Sequence, residues 1–316
     1  MASRPVRWCG SSLRGLALAS VIANIGIIVT GAAVRLTKSG LGCPTWPRCT
    51  DDSYVTTPEM GINGVIEFGN RLLTFVLIAI AVACFLGALA RRRRSLVKLS
   101  VAVALGIPGQ GVIGGITVLT NLNPWVVGLH FILSIALIAG AFALWRRVGE
   151  GDGDPVLLVP APLRQLAWLT TAASLAVIAA GVVVTGSGPH SGDQGAKRNN
   201  LDPQQISQIH ADLVFLLIGL TVALWFALRA ADAPAEAVRA VAVLFWVEMG
   251  QGLIGFVQYF THLPVALVAA HMLGSGLVWF ATLAVLWSLR SRPAVQAAPP
   301  QPAPEPATTG EPVPAA

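Results

Sequence analysis

Long apolar stretches alternate with short polar segments along the chain, and eight of the stretches are long enough to cross a membrane as helices. Each approaches or exceeds the roughly 20 residues that a helix needs to span the hydrocarbon core of a bilayer. We therefore predict an all-α integral membrane protein with eight transmembrane helices, at residues 14–36, 65–90, 97–119, 125–146, 164–185, 206–229, 239–260 and 265–289.

Composition and charge support this class of protein. The chain is 54% hydrophobic and 11% charged, whereas soluble domains carry about 25% charged residues. In a soluble protein the net charge of +6 would suggest nucleic-acid binding. Here most of the 21 basic residues fall in alternate connections between the predicted helices, so the positive-inside rule places those connections and both termini in the cytoplasm. We expect a multi-pass protein of a bacterial plasma membrane, surrounded by lipid, with no nucleic-acid partner.

The two ends of the chain need separate interpretation. A signal peptide is the alternative for the first apolar segment, but the segment is longer than the apolar region of such a peptide and no small-residue cleavage site precedes Arg35. We therefore expect a retained helix. Residues 292–316 are rich in Pro and Ala without an apolar period, which predicts a disordered cytoplasmic tail.

One motif occurs twice. Gly-Gln-Gly-Val-Ile-Gly at 109–114 and Gly-Gln-Gly-Leu-Ile-Gly at 250–255 are each followed by a proline and then a histidine. The copies are offset by four helices, an even number, so both halves enter the membrane from the same side. This predicts a parallel repeat about an axis along the membrane normal, with four-helix bundles in residues 1–150 and 151–291. The sequence Val-Thr-Gly, at 29–31 and again at 184–186, is a shorter repeat that gives weaker support to the same two halves.

Three histidines fall at matching depths. His130, His210 and His271 lie near the starts of predicted helices four, six and eight, which puts them about 6–10 Å below the outer surface. Two imidazoles from neighbouring helices suit the two axial positions of a haem iron. His210 with His271 would form such a pair in the second half. A simple hydrogen bond between helices is the alternative for each histidine.

The first half offers a less complete set. Asn70 occupies the position of helix two that corresponds to His210, and a carboxamide is a poor iron ligand, so His130 would be the one strong protein ligand there. Glu67, Asn70, Arg71 and Thr74 share one helical face. Charged groups near a membrane helix end are costly and need a reason.

Other polar residues leave alternatives open. We expect Gln110 and Gln251 to bond between helices beside their glycines. Arg35 and Lys38 either pair with haem propionates or extend to the surface. Glu248 lies near mid-membrane where the first half has Ile107, and no role follows for it from the sequence.

Cys43 and Cys49 share the first outer loop. Because the outer side of the membrane is oxidising, we expect a disulfide between them. Two free thiols, or part of a soft-metal site, are the alternatives.

Together, the eight helices in two halves, Glu67 and Arg71 on helix two, the histidines on helices four, six and eight, and the outer cysteine pair resemble the haem A synthase family. The resemblance covers about residues 14–290. It implies a membrane oxidoreductase that oxidises the C8 methyl group of haem O to a formyl group, making haem A for cytochrome c oxidase. Haem O would be the substrate, haem A the product and haem b a cofactor.

The resemblance also implies a role for individual residues. His210 and His271 match the haem b ligands of the second half, Glu67 matches a glutamate important for catalysis, and Asn70 with His130 match the ligands of the first half. The implied partners are the haem O synthase (a farnesyltransferase), the cytochrome c oxidase assembly process and an unidentified electron-transfer protein or molecule. Two departures from the family are Asn70, where histidine is common, and the lack of cysteines in residues 186–205.

Three other classes of function compete with this interpretation. A di-haem b-type electron carrier would have matched histidine pairs in both halves, and this chain has three such ligands. A transporter, in which parallel repeats are common, would have broken helices and polar sites at mid-membrane. A haem chaperone for oxidase assembly is not separated from the synthase by sequence. Haem extracted from the purified protein distinguishes most of these classes.

Overall fold

The structure, a computed structural model, describes residues 4–293, with side chains described from residue 10. Eight helices in this part of the chain are long and apolar enough to cross a membrane, as predicted. They are α1 Arg4–Leu36, α2 Gly61–Ala90, α3 Arg94–Leu119, α4 Pro124–Val148, α5 Ala161–Ser187, α6 Pro203–Ala230, α7 Ala235–Phe260 and α8 Val265–Ser288. The predicted tail lies outside the described residues from position 294 onward.

Several helices begin earlier than their apolar segments. α4 and α6 each begin with a proline, a residue that suits the first helical turn because its missing N–H has no partner to lose there. Just before each proline, the side chain of Asn123 or Asp202 accepts a hydrogen bond from a free backbone N–H. α2 follows a 3-10 turn, Pro58–Met60. These polar first turns carry no apolar signal, so hydropathy alone places the starts too late.

The eight helices form two rings of four. In the first ring α1 contacts α2 and α4, and α3 contacts α2 and α4; α5–α8 repeat this arrangement. The rings meet where α1 and α4 contact α8 and where α4 contacts α5. The indole N–H of Trp279 in α8 donates to the carbonyl of Ile135 in α4 at 3.0 Å, deep inside this junction.

The two faces of the molecule differ. The long-loop face carries the two longest connections between helices, residues 37–57 and 188–202, and the terminal face carries the first and last described residues. Close-packed apolar clusters fill the rings toward the terminal face, where Leu13 packs near Leu144 and Leu224 packs near Val241, all less than 1% exposed. The space toward the long-loop face is therefore the part of each ring left for a site.

A small polar assembly covers the terminal face. Strands β1 (Val156–Leu157) and β2 (Arg290–Ser291) pair antiparallel, a feature absent from the all-α prediction. Beside them, Asp152 accepts from Arg93 at 2.9 Å and from Arg147 at 3.2 Å. The hydrogen bond from Arg93, helped by one from Ser95, lowers the pKa of Asp152 to about 2.

Candidate functional site

A cavity of about 1380 Å³ lies within the membrane-spanning region, lined by residues from all eight helices and from the four connections on the long-loop face. Pockets for drug-sized ligands have volumes of about 300–1000 Å³, and this cavity is larger than that range. Every site residue predicted from the sequence, the cysteines aside, lines it: Glu67, Asn70, Arg71, His130, His210 and His271. The structure therefore brings the predicted set together around one space.

His210 and His271 face each other in the second ring. Their ring centroids are 6.4 Å apart and their planes are inclined at 75°. Two imidazoles on opposite sides of one metal ion have centroids about 6 Å apart, because each metal–nitrogen bond is about 2 Å. The spacing of the two rings therefore matches that of a bis-histidine metal site.

A backbone carbonyl orients the imidazole of His210, whereas the contact at His271 is made to its main chain. Nδ1 of His210 lies 3.0 Å from the carbonyl oxygen of Val177; because a carbonyl only accepts, Nδ1 carries the proton and Nε2 keeps its lone pair for a metal. Gln251 donates to the backbone carbonyl of His271 at 2.7 Å. Nδ1 of His271 is buried without a hydrogen-bond partner among the described residues.

A glycine on a neighbouring helix supports each histidine ring. A β-carbon on Gly181 would lie 3.1 Å from Cε1 of His210, and one on Gly255 would lie 3.2 Å from Cε1 of His271. In the first ring, a β-carbon on Gly114 would lie 3.3 Å from Cε1 of His130. The last glycine of each motif copy, Gly114 or Gly255, therefore leaves space for a histidine imidazole. The sequence did not reveal this role.

The first ring holds His130 in the same manner. Gln110 donates to the carbonyl oxygen of His130 at 3.0 Å, as Gln251 does for His271, which confirms the predicted helix-to-helix bonds of both glutamines. Nδ1 of His130 is also without a partner among the described residues. Asn70 is oriented by Thr30, whose hydroxyl donates to its Oδ1 at 2.7 Å.

Glu67 and Arg71 form a buried ion pair that is attached to the outer loop. Nη2 of Arg71 donates to Oε1 of Glu67 at 2.6 Å, and the backbone N–H of Cys43 donates to Oε2. The same guanidinium donates to the carbonyls of Cys43, Thr45 and Arg48. Both carboxylate oxygens and most of the guanidinium donors are thus engaged while both residues line the cavity.

The first outer loop closes over this ring. Cys43 and Cys49 form a disulfide, as predicted, which excludes the free-thiol and soft-metal alternatives. Trp46 of the same loop packs on α3 so closely that a β-carbon on Gly115 would lie 2.3 Å from the indole ring. Trp46 lines the cavity, and no sequence signal had marked it.

Arg35 joins the first ring to the second outer loop. Its guanidinium donates to the carbonyl of Thr185 at 2.8 Å and to that of His190, and it lines the cavity. Arg35 therefore contacts backbone carbonyls across the junction and does not extend to the surface. Lys38 is exposed and does not line the cavity.

The fold and the cavity define an eight-helix membrane protein with paired imidazoles between its membrane-spanning helices. The family model described as cytochrome oxidase assembly protein matches residues 14–191, and the chain belongs to this family. The matched relatives are haem A synthases, which confirms the predicted family. That of Bacillus pumilus is 30% identical over 47% of this chain and 48% of the relative. That of Staphylococcus haemolyticus is 27% identical over 55% and 58%. The chain spans about half the length of the curated relatives it matches.

The residues of the second ring fit a haem. The spacing of His210 and His271, the free Nε2 of His210 and the size of the cavity agree with two imidazoles on one iron. The first ring supplies one imidazole, His130, opposite an amide that already accepts from Thr30. Its donor set fits a group held by one strong ligand.

Proposed function

We propose that this protein is a haem A synthase that oxidises the C8 methyl group of haem O to a formyl group, giving haem A for cytochrome c oxidase. The observation that carries the proposal is the pair of imidazoles, His210 and His271, 6.4 Å apart in a cavity that also contains Glu67 and His130. The matched relatives are named haem A synthase, and this chain aligns with about half of their length.

In this proposal the two rings have different tasks. His210 and His271 hold haem b, which supplies electron transfer when bound. His130 holds the iron of the substrate haem O, and Asn70 leaves the opposite position weakly ligated or open. Arg71 contributes to binding at the first-ring site while it holds Glu67 in place.

Glu67 is the residue that acts on the reacting carbon in this scheme. Because Arg71 and the N–H of Cys43 donate to its two oxygens, the carboxylate is held as a fixed negative charge. Such a charge is suited to stabilising positive charge that develops at the methyl carbon, since preorganised charges act strongly in a water-excluded site. A proton-relay role would require Glu67 to give up part of this network.

We also propose that the rings are a parallel repeat, with the N-terminal half in residues 1–150 and the C-terminal half in 151–291. The positions that line the cavity support it: Asn70 corresponds to His210 and Gln110 to Gln251. When the cavity-lining positions of α1 and α5 are aligned, Gly31 corresponds to Gly181. This alignment differs from the one that the repeated Val-Thr-Gly sequence suggests. We propose that the terminal face and both termini lie in the cytoplasm of a bacterial cell; the basic connections support this orientation through the positive-inside rule.

The haem content of the purified protein tests the proposed function. We expect haem b together with haem O or haem A in the acid–acetone extract, with a low-spin b-type optical spectrum. Cells that make haem O but lack other haem A synthases should gain haem A when they express this chain. Haem b alone would identify an electron carrier, and bound haem A without conversion of added haem O would identify a chaperone. A protein without haem would contradict the proposal.

A further inference from the structure

Glu248 is a buried acid that the proposed reaction does not use. It lies in the middle of α7, is 4% exposed and lines the cavity. Its Oε1 accepts from the hydroxyl of Thr221 at 2.9 Å, and its Oε2 has no hydrogen-bond partner among the described residues. A carboxyl group in this position is costly in a membrane and points to a function.

The two rings carry their acids at different positions. Ile107 lines the first ring where Glu248 lines the second, and Ser207 lines the second ring where Glu67 lines the first. Glu67 has a basic partner, Arg71, whereas no ion pair of Glu248 occurs among the described residues. Both oxygens of Glu67 therefore have hydrogen-bond donors, whereas Oε2 of Glu248 has none among the described residues.

The surroundings of Glu248 connect it to the second-ring site. It lies one helical turn from Gln251, whose amide donates to the carbonyl of His271. α7 packs against α6 and α8, and the titratable groups of these three helices that share the cavity with Glu248 are His210, His271 and Tyr259. The other charged residues of these helices are exposed and do not line the cavity: Asp212, Arg229, Glu236 and Arg239.

We propose that Glu248 is the proton-binding group of the second ring, taking up one proton from solvent when the haem held by His210 and His271 gains one electron. The inference rests on the proposed function. The electron comes from a one-electron donor to the haem, and the proton forms an O–H bond at Oε2. Oxidation removes the electron and returns the proton, so the net charge of the site stays constant. Constant charge is favoured because an unbalanced charge is poorly solvated inside the bilayer.

Redox titration of the purified haem-loaded protein between pH 6 and pH 9 tests the proposal. Uptake of one proton per electron changes the reduction equilibrium up to tenfold per pH unit, which is about 59 mV for a one-electron couple. We expect the midpoint potential of the second-ring haem to fall with rising pH in the natural sequence. In Glu248→Gln this dependence should be lost, and in Thr221→Val it should move to a different pH.

A matched control and a second readout separate charge from folding. Glu236→Gln removes an exposed acid from the same helix and should leave the pH dependence intact. The infrared difference spectrum between oxidised and reduced protein should contain a protonated-carboxyl band that shifts in deuterium oxide. This band should be absent from Glu248→Gln.

The outcomes distinguish this inference from the proposed function. If Glu248→Gln keeps both the pH-dependent potential and the infrared band, or the natural sequence shows neither, Glu248 is not the proton-binding group although the haem site stands. A protein that carries no haem on His210 and His271 would overturn the proposed function and this inference together. Should Glu248→Gln fail to fold, Thr221→Val decides alone, and an unchanged titration curve contradicts the proposal.

Discussion

Arg71 donates to Glu67 at 2.6 Å from one turn further along α2, and the same guanidinium holds three backbone carbonyls of the disulfide loop. The pair therefore has two effects. It holds the carboxylate of Glu67 in place beside the cavity, and it fixes the loop that covers the first ring. A buried acid with this support would keep its position when a ligand binds next to it.

Replacing Glu67 with Gln should abolish most haem A formation. Gln has similar shape and still accepts from Arg71, but it loses the negative charge and the bond from the N–H of Cys43. Loss of one preorganised electrostatic group costs about 100-fold or more in rate. We expect haem O to accumulate while the second-ring spectrum is unchanged, measured by extracting haems from cells. A normal rate of haem A formation would make Glu67 a structural residue.

His210→Ala and His271→Ala should each remove the low-spin b-type spectrum, because each removes one of the two imidazoles proposed to hold haem b. The measurement is the reduced-minus-oxidised optical spectrum of purified protein, normalised to protein concentration. His262→Asn is the control, since His262 is in an outer loop with φ of 62°, a conformation that Asn tolerates. Retention of the spectrum in both alanine variants would show that the haem is bound elsewhere.

Gly255→Val should disturb the second-ring haem more than Gly250→Val does. A β-carbon at Gly255 would lie 3.2 Å from Cε1 of His271, whereas one at Gly250 meets no atom within 4 Å. Overpacking of this kind costs about 1–3 kcal/mol, here mainly through displacement of the imidazole. Haem b content and thermal stability in detergent are the readouts. Equal haem content in the two variants would mean that haem binding does not depend on the contact between Gly255 and the imidazole of His271.

Protonation of Asp152 at low pH should weaken the polar assembly on the terminal face. Hydrogen bonds from Arg93 and Ser95 lower the pKa of Asp152 to about 2 in the folded protein, against about 3.9 in an unfolded chain. Its contribution to stability is therefore present above about pH 4 and is lost as the pH falls toward 2. Because the side chain is 49% exposed, the effect is about 1 kcal/mol or less.

Asp152→Asn tests this contribution. The variant should be slightly less stable than the natural protein at pH 7, and the difference should shrink as the pH falls below 4. Thermal unfolding of both proteins in detergent across this range provides the measurement. A stability difference that stays constant with pH would contradict a role for the charge.

Much of the fold and part of the site were readable from sequence, for physical reasons that specific residues illustrate. A membrane-spanning helix requires a long apolar run, so the spans were identified although their polar first turns at Asn123 and Asp202 were missed. The repeated motif predicted that Gln110 and Gln251 bond between helices, but their partners, the carbonyls of His130 and His271, came from the structure. By contrast, the contacts of Cys43 with Glu67 and of Arg35 with Thr185 depend on the path of long loops, which no local pattern encodes.

The correspondence between positions of α1 and α5 in the two halves shows the same limit of sequence-based prediction. The echo of Val-Thr-Gly pairs Gly31 with Gly186, but the cavity-lining positions pair Gly31 with Gly181. Three-residue identities between apolar helices arise easily, whereas the positions that face a cavity are set by packing. The alignment of α1 with α5 by their cavity-lining positions matters for the first ring of helices, because Gly181 is the glycine that packs against the imidazole of His210.

Asn70→His should therefore convert the haem O that we propose for the first ring to a six-coordinate, low-spin form. Asn70 occupies the position that corresponds to His210, and Gly31 corresponds to Gly181. A β-carbon on Gly31 would meet no atom within 4 Å, so an imidazole at position 70 has the same free space beside it that His210 uses. The bond from Thr30 to the amide of Asn70 would be lost, but an imidazole nitrogen can accept from the same hydroxyl or ligate the iron.

Electron paramagnetic resonance of protein loaded with haem O provides the measurement. Asn70→His should lose the high-spin signal of the first-ring haem, while Asn70→Ala, which removes the amide without adding a ligand, should keep it. The second-ring low-spin signal serves as the internal reference in both variants. If the high-spin signal persists in Asn70→His, position 70 does not face the iron and the open coordination position of the first ring lies elsewhere.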